Sequence, residues 1–333
     1  MRFIQISYLI IAFTFIQVTQ IFAQERTNPK NQSEELGKVQ WYRNYNEAIA
    51  LAKKENKDIV ILFQEVPGCS TCRNYGHNVL SHPLMVEALE NSFIPLAIYN
   101  NKNGEDRKIL EKFNEPSWNN PVVRIINAKQ ENVVPRISSD YSALTLAKRL
   151  KEALIKKNAP IPAYFNLLEQ ELTAKATGSI NEVNFKMYCF WTGEKQLGKL
   201  DGVLDVEAGF IGHNEVVKVK YNSSLVKESE IISYAQKNNF EPINSSKNYR
   251  TATNDVHYYL SHSDYKYIPL SELQKTKINS ALGSNQPVEK YLSPNQIKWL
   301  KLLKNNKVKR SKSLIYQKIE DSWKIMDLSY TNN

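Results

Sequence analysis

Hydrophobic residues in the first half of the chain switch between a helical and an extended spacing. Residues 46–55 place apolar side chains three and four positions apart, which predicts a helix. Residues 58–63 form an unbroken β-branched run between polar residues, which predicts a buried strand. Further strands are predicted at 93–99 and 122–126, and further helices at 105–113 and 141–157. Because strands alternate with helices, an α/β layered domain is predicted over residues 39–158.

A hinge with two prolines at residues 158–162 ends this pattern, and residues 159–183 are predicted to be a linker with one helix. A strand, an exposed turn with a lone cysteine, a helix and two more strands follow, which predicts an α+β sheet domain over residues 184–333. Ser293 and Pro294 are suited to begin a helix. Residues 313–325 alternate enough to predict a closing hairpin or strand.

The start of the chain has the features of a secretory signal peptide. Arg2 precedes an apolar stretch over residues 6–16, and the small residue Ala23 gives a plausible cleavage site, so residues 1–23 are predicted to be removed. The polar residues 24–38 are predicted to be a flexible lead-in. We therefore expect a periplasmic or secreted protein, with no stable membrane span after cleavage.

Composition limits the function classes. The 333 residues are 42% hydrophobic and 23% charged, which excludes a wholly disordered or fibrous chain. The net charge of +10 is interpreted as a Lys-rich surface, and nucleic acid is not expected as a partner of an exported protein. The three cysteines make an odd count, so one pair and one separate thiol have to be explained.

The pair Cys69 and Cys72 lies between the buried strand at 58–63 and a following helical stretch. Three residues apart on the first turn of a helix, the two sulfurs can approach bonding distance. The helix N-terminus stabilises a thiolate on Cys69, which predicts that Cys69 attacks and Cys72 resolves the mixed disulfide. Two alternatives remain: a structural disulfide, and a metal site formed with His77 and His82.

This half of the chain resembles the thioredoxin superfamily. The resemblance rests on the helix before the first strand, the strand–Cys-x-x-Cys–helix junction, and the segment at residues 119–122 that leads into a strand. It implies a thioredoxin-like fold, and a cis proline at Pro121 that packs against the disulfide. The tryptophan that usually precedes the first cysteine is replaced by Pro67-Gly68, as in a subgroup with a Val-Pro-Gly-Cys-x-x pattern.

The second half resembles the A-type peptide methionine sulfoxide reductase family, through Cys189-Phe-Trp-Thr-Gly-Glu194, a glycine-containing strand at residues 202–210, and Gly212-His-Asn-Glu215-Val-Val. The resemblance implies a methionine sulfoxide reductase A-like domain in which Cys189 attacks the sulfoxide sulfur. Phe190 and Trp191 would form an apolar wall for the substrate methyl group, and Glu215 would protonate the leaving oxygen. The alternative for Cys189 is a core cysteine, and Glu194 is interpreted as a solvated helix residue.

Two departures from that family affect the site. Tyr188 replaces the glycine before the nucleophile, and the family's insertion with a substrate-contacting tyrosine is absent. Tyr249, within Asn-Tyr-Arg-Thr-Ala, is a candidate for the missing substrate-binding hydroxyl. The same region can instead be matched to a later family helix through Ala252 and the Tyr-Tyr-Leu run at 258–260.

Joining the two halves gives a hypothesis for a complete cycle. A sulfenic acid formed on Cys189 needs a thiol, and no other cysteine lies beyond residue 159. The Cys69/Cys72 dithiol is therefore predicted to reduce Cys189, with an external protein dithiol reductant and no cofactor. Two alternatives are a general thiol–disulfide oxidoreductase with a degenerate, peptide-binding second domain, and a non-enzymatic metal- or peptide-binding module with a structural disulfide.

Overall fold

In the first half of the chain, strands alternate with helices as the hydrophobic pattern predicts. The computed structural model describes residues 26–244, 247–308, 310 and 312–331, and the predicted signal peptide at 1–23 lies outside them. The strands are β1 Ile59–Gln64, β2 Ile94–Tyr99, β3 Val122–Ile126, β4 Ile180–Lys186, β5 Val203–Ile211, β6 Asn214–Asn222, β7 Glu241–Ile243 and β8 Tyr249–Thr251. The helices are α1 Tyr45–Glu55, α2 Ser70–Asn78, α3 Pro83–Ser92, α4 Glu105–Lys112, α5 Ala143–Lys156, α6 Ala163–Thr177, α7 Phe190–Gly198, α8 Glu228–Lys237, α9 Tyr258–Ser261, α10 Glu272–Gly283, α11 Pro294–Lys304 and α12 Ile319–Thr331.

The sheet of the first half has the order β2-β1-β3, with β1 parallel to β2 and antiparallel to β3. All six residues of β1 are buried, because helices cover both faces of this sheet. Val60 and Leu62 belong to a core with α3 and α5, whereas Ile61 and Phe63 belong to a core with α1 and α4. The predicted α/β layering is therefore present.

Part of the stretch predicted to be a flexible lead-in is packed against the first half. Glu34–Leu36 form a 3₁₀ helix, and Leu36 and Val39 are fully buried. The indole of Trp41 donates to the carbonyl of Leu36 at 2.9 Å. The polar composition concealed this element because Leu36 is the only large apolar side chain of the 3₁₀ helix, and it alone packs into the hydrophobic core.

The second half contains an antiparallel sheet of order β7-β4-β6-β5-β8. Val206 and Ala208 of β5 lie on the same face as Val217 and Val219 of β6, and α7 and α8 pack on this face. The opposite face carries cross-strand ion pairs, such as Lys218 Nζ to Glu207 Oε1 at 3.1 Å. The predicted α+β sheet is therefore one-sided in its hydrophobic core.

Helices α10 to α12 complete the second half. The start of α11 is as predicted: Pro294 is its first residue, and Ser293 caps it in a capping box with Gln296. The hairpin or strand predicted at 313–325 is wrong, since α12 begins at Ile319. Ile319, Ser322 and Met326 are buried three and four positions apart, which is a helical rather than an extended spacing.

The two halves meet along α3, which packs against α6, α11 and α12. The buried carboxylate of Glu87 accepts from the backbone amide of Asn295 at 2.9 Å and also from its side-chain amide. A cleft of about 530 Å³ opens between the halves beside Asp58, at the start of β1. Within the described ranges, no helix is long and apolar enough to cross a membrane.

Candidate functional site

The dithiol lies where β1 gives way to α2. Cys69 is the exposed N-cap residue of α2 and Cys72 is buried in its first turn, with 3.4 Å between the two sulfurs. The backbone amide of Cys72 contributes most to lowering the pKa of the Cys69 thiol. Burial, followed by the proximity of Cys69, raises the pKa of Cys72 to about 12. The two thiols thus differ in acidity in the direction that attack by Cys69 requires.

Asn120 and Pro121 bring the loop before β3 against the dithiol. The thiol of Cys72 donates to Oδ1 of Asn120 at 2.6 Å. The Asn120–Pro121 peptide bond is cis and Pro121 is buried. The loop therefore contacts the resolving cysteine through the side chain of Asn120, which the sequence pattern did not single out.

A buried carboxylate behind the dithiol also escaped the sequence analysis. Glu35 accepts from the backbone amide of Gly68 at 2.7 Å and from the hydroxyl of Ser33. Burial raises the pKa of Glu35, but these hydrogen bonds and the charge of Arg73 outweigh it, so the net pKa lies below its usual value. Gly76 lets α2 approach this segment, because a Cβ there would lie 2.0 Å from the carbonyl oxygen of Glu34.

The predicted histidine ligands are not gathered around the dithiol. Within the part of the chain that the structure describes, the ligand atoms of Glu65, Cys69 and Cys72 lie within 4.8 Å of one another, and this group includes neither His77 nor His82. His82 instead precedes α3, where burial lowers its pKa to about 4 and Glu320 lies 3.8 Å away. The metal set proposed from spacing is therefore not formed.

Cys189 is the half-buried N-cap residue of α7. The next residue, Phe190, is buried and meets the ring of Phe210 edge to face at 5.4 Å. Trp191 stacks on Tyr258, with ring centroids 3.8 Å apart. An apolar wall thus follows the thiol, with Phe190 and Trp191 in it.

Glu215 meets the same helix terminus from the sheet. Its Oε2 accepts from the backbone amide of Phe190 at 2.9 Å, and its backbone carbonyl accepts from the amide of Met187 at 3.1 Å. These bonds fix the carboxyl group one residue from Cys189. A thiol and a potential proton donor are therefore held together at the first turn of α7.

Tyr249 does not join this group, and its assignment to substrate binding is corrected. Its hydroxyl donates to the backbone carbonyl of Glu207 at 3.1 Å, and its ring covers Gly209. β8 pairs with β5 so that Tyr249 opposes Ile211. Because side chains alternate along a strand, Tyr249 lies on the face of the sheet opposite Phe210, and Phe210 is the residue that contacts Phe190.

Tyr259 follows Tyr258, which stacks on Trp191 beside Cys189. Burial, followed by the charge of Cys189, raises the pKa of the Tyr259 phenol. Its ring occupies the space beside Gly283, where a Cβ would lie 2.6 Å from a ring carbon. The Tyr-Tyr-Leu run at 258–260 was the sequence signal for this residue.

Glu194 is buried, so its interpretation as a solvated helix residue is wrong. It is 1% exposed and accepts from the backbone amides of His257 at 2.7 Å and Tyr258 at 3.0 Å. The side-chain amide of Asn279 donates to it at 3.1 Å. Burial outweighs these donors and raises the pKa of Glu194 to about 8. The carboxyl group thereby anchors the segment that carries Tyr258 and Tyr259.

The two cysteine sites are separate in this arrangement. In the described residues, no hydrogen bond joins Cys189 to Cys69 or Cys72, whereas Cys69 and Cys72 contact each other. All three cysteines belong to the one cycle that the sequence predicts. That cycle requires Cys69 and Cys189 to come within bonding distance of each other.

A family-model match supports the thioredoxin-like fold predicted for the first half. Residues 40–128 match the family model described as thioredoxin-like, and this half has a thioredoxin-like fold. Two solved structures are similar to the chain, each with a TM-score of 0.31. A thioredoxin from Thermus thermophilus is 23% identical and covers 36% of this chain and 89% of its own. A DsbH oxidoreductase is 16% identical and covers 38% and 90%, respectively.

A second comparison supports a component similar to methionine sulfoxide reductase. A peptide methionine sulfoxide reductase MsrA from Methanococcus maripaludis is 32% identical over 75 aligned positions, which cover 17% of this chain and 47% of the relative. The chain thus spans about half the length of this curated relative. The match concerns part of the chain only.

Proposed function

We propose that this protein is a thiol-dependent oxidoreductase that reduces methionine sulfoxide in proteins or peptides at Cys189, with Cys69 and Cys72 supplying the electrons. The observation that carries the proposal is the placement of the Glu215 carboxyl group on the amide of Phe190, beside Cys189 and the aromatic wall. The partial similarity to a methionine sulfoxide reductase supports it. Export before function, through residues 1–23, is part of the same proposal.

The first chemical step transfers oxygen from substrate to enzyme. The thiolate of Cys189 attacks the sulfoxide sulfur while Glu215 gives a proton to the sulfoxide oxygen. Methionine leaves, and Cys189 becomes a sulfenic acid that holds the oxygen. In the proposed step, Tyr259 donates a hydrogen bond to this oxygen, and Trp191 with Phe190 excludes water from the reacting sulfur.

The second step returns Cys189 to the thiol. Cys69 thiolate attacks the sulfur of the sulfenic acid, water leaves, and a Cys69–Cys189 disulfide forms. Cys72 then attacks Cys69, which releases Cys189 and closes the Cys69–Cys72 disulfide. An external protein dithiol reduces this disulfide, because the proposed compartment is oxidising.

A single-turnover experiment tests the proposal. Reduced protein is mixed with a peptide that contains methionine-S-sulfoxide, and methionine and free thiols are counted. We expect methionine to form in the wild type and in Cys69→Ser, but not in Cys189→Ser. Replacing Glu215 by Gln is expected to slow the step by about 10²-fold, within the usual contribution of a general acid. Formation of methionine in Cys189→Ser would contradict the assignment.

The dithiol alone favours a second candidate function, general thiol–disulfide exchange. The exposed Cys69 with a lowered pKa and the buried Cys72 are sufficient for that reaction without Cys189. In this case insulin reduction would depend on Cys69 and proceed normally in Cys189→Ser, with no sulfoxide reduced by any variant. Comparing the two substrates in the same set of variants separates the candidates.

A further inference from the structure

Large exposed aromatic side chains are found beside both cysteine sites. Among the exposed large hydrophobic residues in the described part of the chain, Tyr188 and Trp118 are the most exposed, at 99% and 80%. Tyr188 directly precedes Cys189. Trp118 lies two residues before Asn120, whose side chain accepts from Cys72. Neither exposed ring contributes to the hydrophobic core of its half, so packing does not explain their type.

A third exposed aromatic residue extends the surface beside the dithiol. Tyr141 is 40% exposed and meets Tyr75 of α2 edge to face at 6.4 Å. Tyr75 follows Cys72 by three residues on the same helix. Aromatic side chains that are exposed around a reactive group are typical of protein interfaces, where they supply large contact area at a small entropic cost.

The dithiol lies at the end of β1 that is remote from the cleft between the halves. The cleft between the halves opens beside Asp58, before β1, whereas Cys69 follows the other end of this strand. A six-residue strand spans about 20 Å.

The Cys189 site is similarly displaced from the packing between the halves. The first turn of α10 meets α6, where Leu273 donates its amide to Glu171 at 2.6 Å. Tyr259, whose neighbour Tyr258 stacks on Trp191 beside Cys189, packs instead on Gly283 at the last turn of α10, about 15 Å from Leu273 along the helix.

We propose that the dithiol of one copy of this chain docks onto the Cys189 site of a second copy, with Trp118 and Tyr188 in the contact. This inference rests on the proposed function, which requires the two sites to exchange a disulfide. Within the complex, the bond between Cys69 and Cys189 forms and then breaks when Cys72 attacks Cys69. Two electrons pass from the dithiol of one copy to Cys189 of the other.

The transfer can be followed without any sulfoxide. A Cys69→Ser/Cys72→Ser variant is labelled on Cys189 with thionitrobenzoate through a mixed disulfide. Pre-reduced Cys189→Ser, which keeps the dithiol, is then added, and the absorbance of released thionitrobenzoate is recorded. Cys69 attacks the mixed disulfide, thionitrobenzoate leaves, and Cys72 closes the Cys69–Cys72 disulfide. We expect release at a rate proportional to the concentration of each protein.

Variants of the aromatic residues test the surface itself. Trp118→Ala is placed in the dithiol donor, and Tyr188→Ala is placed in the labelled acceptor. Each is expected to lower the second-order rate of thionitrobenzoate release by the donor about tenfold, relative to the rate of release by dithiothreitol from the same acceptor. Leu225→Ala in the acceptor is the matched control, since Leu225 is 53% exposed and lies outside both cysteine sites. Unchanged relative rates in both aromatic variants would overturn the docking surface.

The release reaction with the dithiol donor also tests whether electrons pass from one copy to another. Release that is no faster with the dithiol donor than with a donor that lacks Cys69 and Cys189 would overturn transfer between copies. Because no sulfoxide is used, this outcome is distinct from failure of Cys189 to form methionine in the single-turnover experiment. The two proposals therefore fail on different measurements.

Discussion

At the scale of single residues, burial decides what the ionisable groups near the two sites do. Glu194 and Cys72 are both removed from water, and in both the neutral form is favoured. Cys69, exposed at the same helix terminus as Cys72, has its pKa lowered instead. Residue type and spacing predicted the thiol pair, but not the buried carboxyl groups of Glu194 and Glu35, because burial depends on contacts across many residues of sequence.

Stability should depend on pH through Glu194. Its pKa is raised from 4.5 to about 8, so the folded state binds the proton more tightly than the unfolded state. The stabilisation is present in full below pH 4.5 and is lost as the pH rises towards about 8. We expect the urea midpoint of the wild type to fall relative to that of Glu194→Gln between these pH values. Parallel pH profiles of the two proteins would contradict this.

Alkylation should distinguish the two thiols of the pair. In a Cys189→Ser background, iodoacetamide at neutral pH is expected to modify Cys69 and to spare Cys72, whose pKa is about 12 and whose side chain is buried. Peptide mass spectrometry after a short reaction measures both. The same reaction in denaturant is the control, and there the selectivity should disappear. Faster labelling of Cys72 in the folded protein would be inconsistent with the assigned roles.

At the scale of elements, the hydrophobic pattern predicts the strands and most helices. It does not predict which elements pair or pack with one another. The run at 58–63 correctly predicted β1, and the alternation in β6 correctly predicted a strand with one buried face. The hairpin or strand predicted at 313–325 was wrong because a short segment of helix also alternates over a few residues. Tyr249 was misplaced for a related reason: the register between β8 and β5, which sets its face, leaves no local trace in the sequence.

The last turn of α10 should control the reactivity of Cys189. In Gly283→Ala the new Cβ would lie 2.6 Å from the ring of Tyr259, so the ring must shift from its present position. We expect the single-turnover rate of sulfoxide reduction to fall about tenfold or more, since a misplaced catalytic group is costly. Tyr259→Phe keeps the ring and removes the hydroxyl, and Ser284→Ala serves as the neighbouring control. A full rate in Gly283→Ala would contradict this role of the helix.

At the scale of the whole molecule, the chain joins two folds through a packed contact. Residues 159–183 are predicted to be a linker with one helix, and this helix, α6, packs against α3 of the first half and α10 of the second. The sequence predicted the two domains but not this contact. Glu87 and Asn295 are 208 positions apart, and neither residue type indicates which residue it will contact.

Removing the Glu87 carboxylate should loosen the two halves. Glu87→Ala leaves the amide of Asn295 without its acceptor in a partly buried position, and we expect a loss of about 2 kcal/mol in the free energy of unfolding. Urea unfolding, followed by far-UV circular dichroism, measures it. Glu87→Gln keeps one acceptor oxygen and should lose less. A cost that is equal in the two variants would argue against the hydrogen bond as the cause.

The 3₁₀ helix at Glu34–Leu36 belongs to the smallest segment that keeps the surroundings of the dithiol intact. Residues 40–128 match the thioredoxin-like family, but Glu35, which accepts from the amide beside Cys69, lies ahead of that stretch. A fragment cut at the family boundary would lose this acceptor and the buried Leu36 together. Engineered modules that transplant this dithiol therefore need to begin before Ser33, because Ser33 and Glu35 both lie ahead of the matched residues.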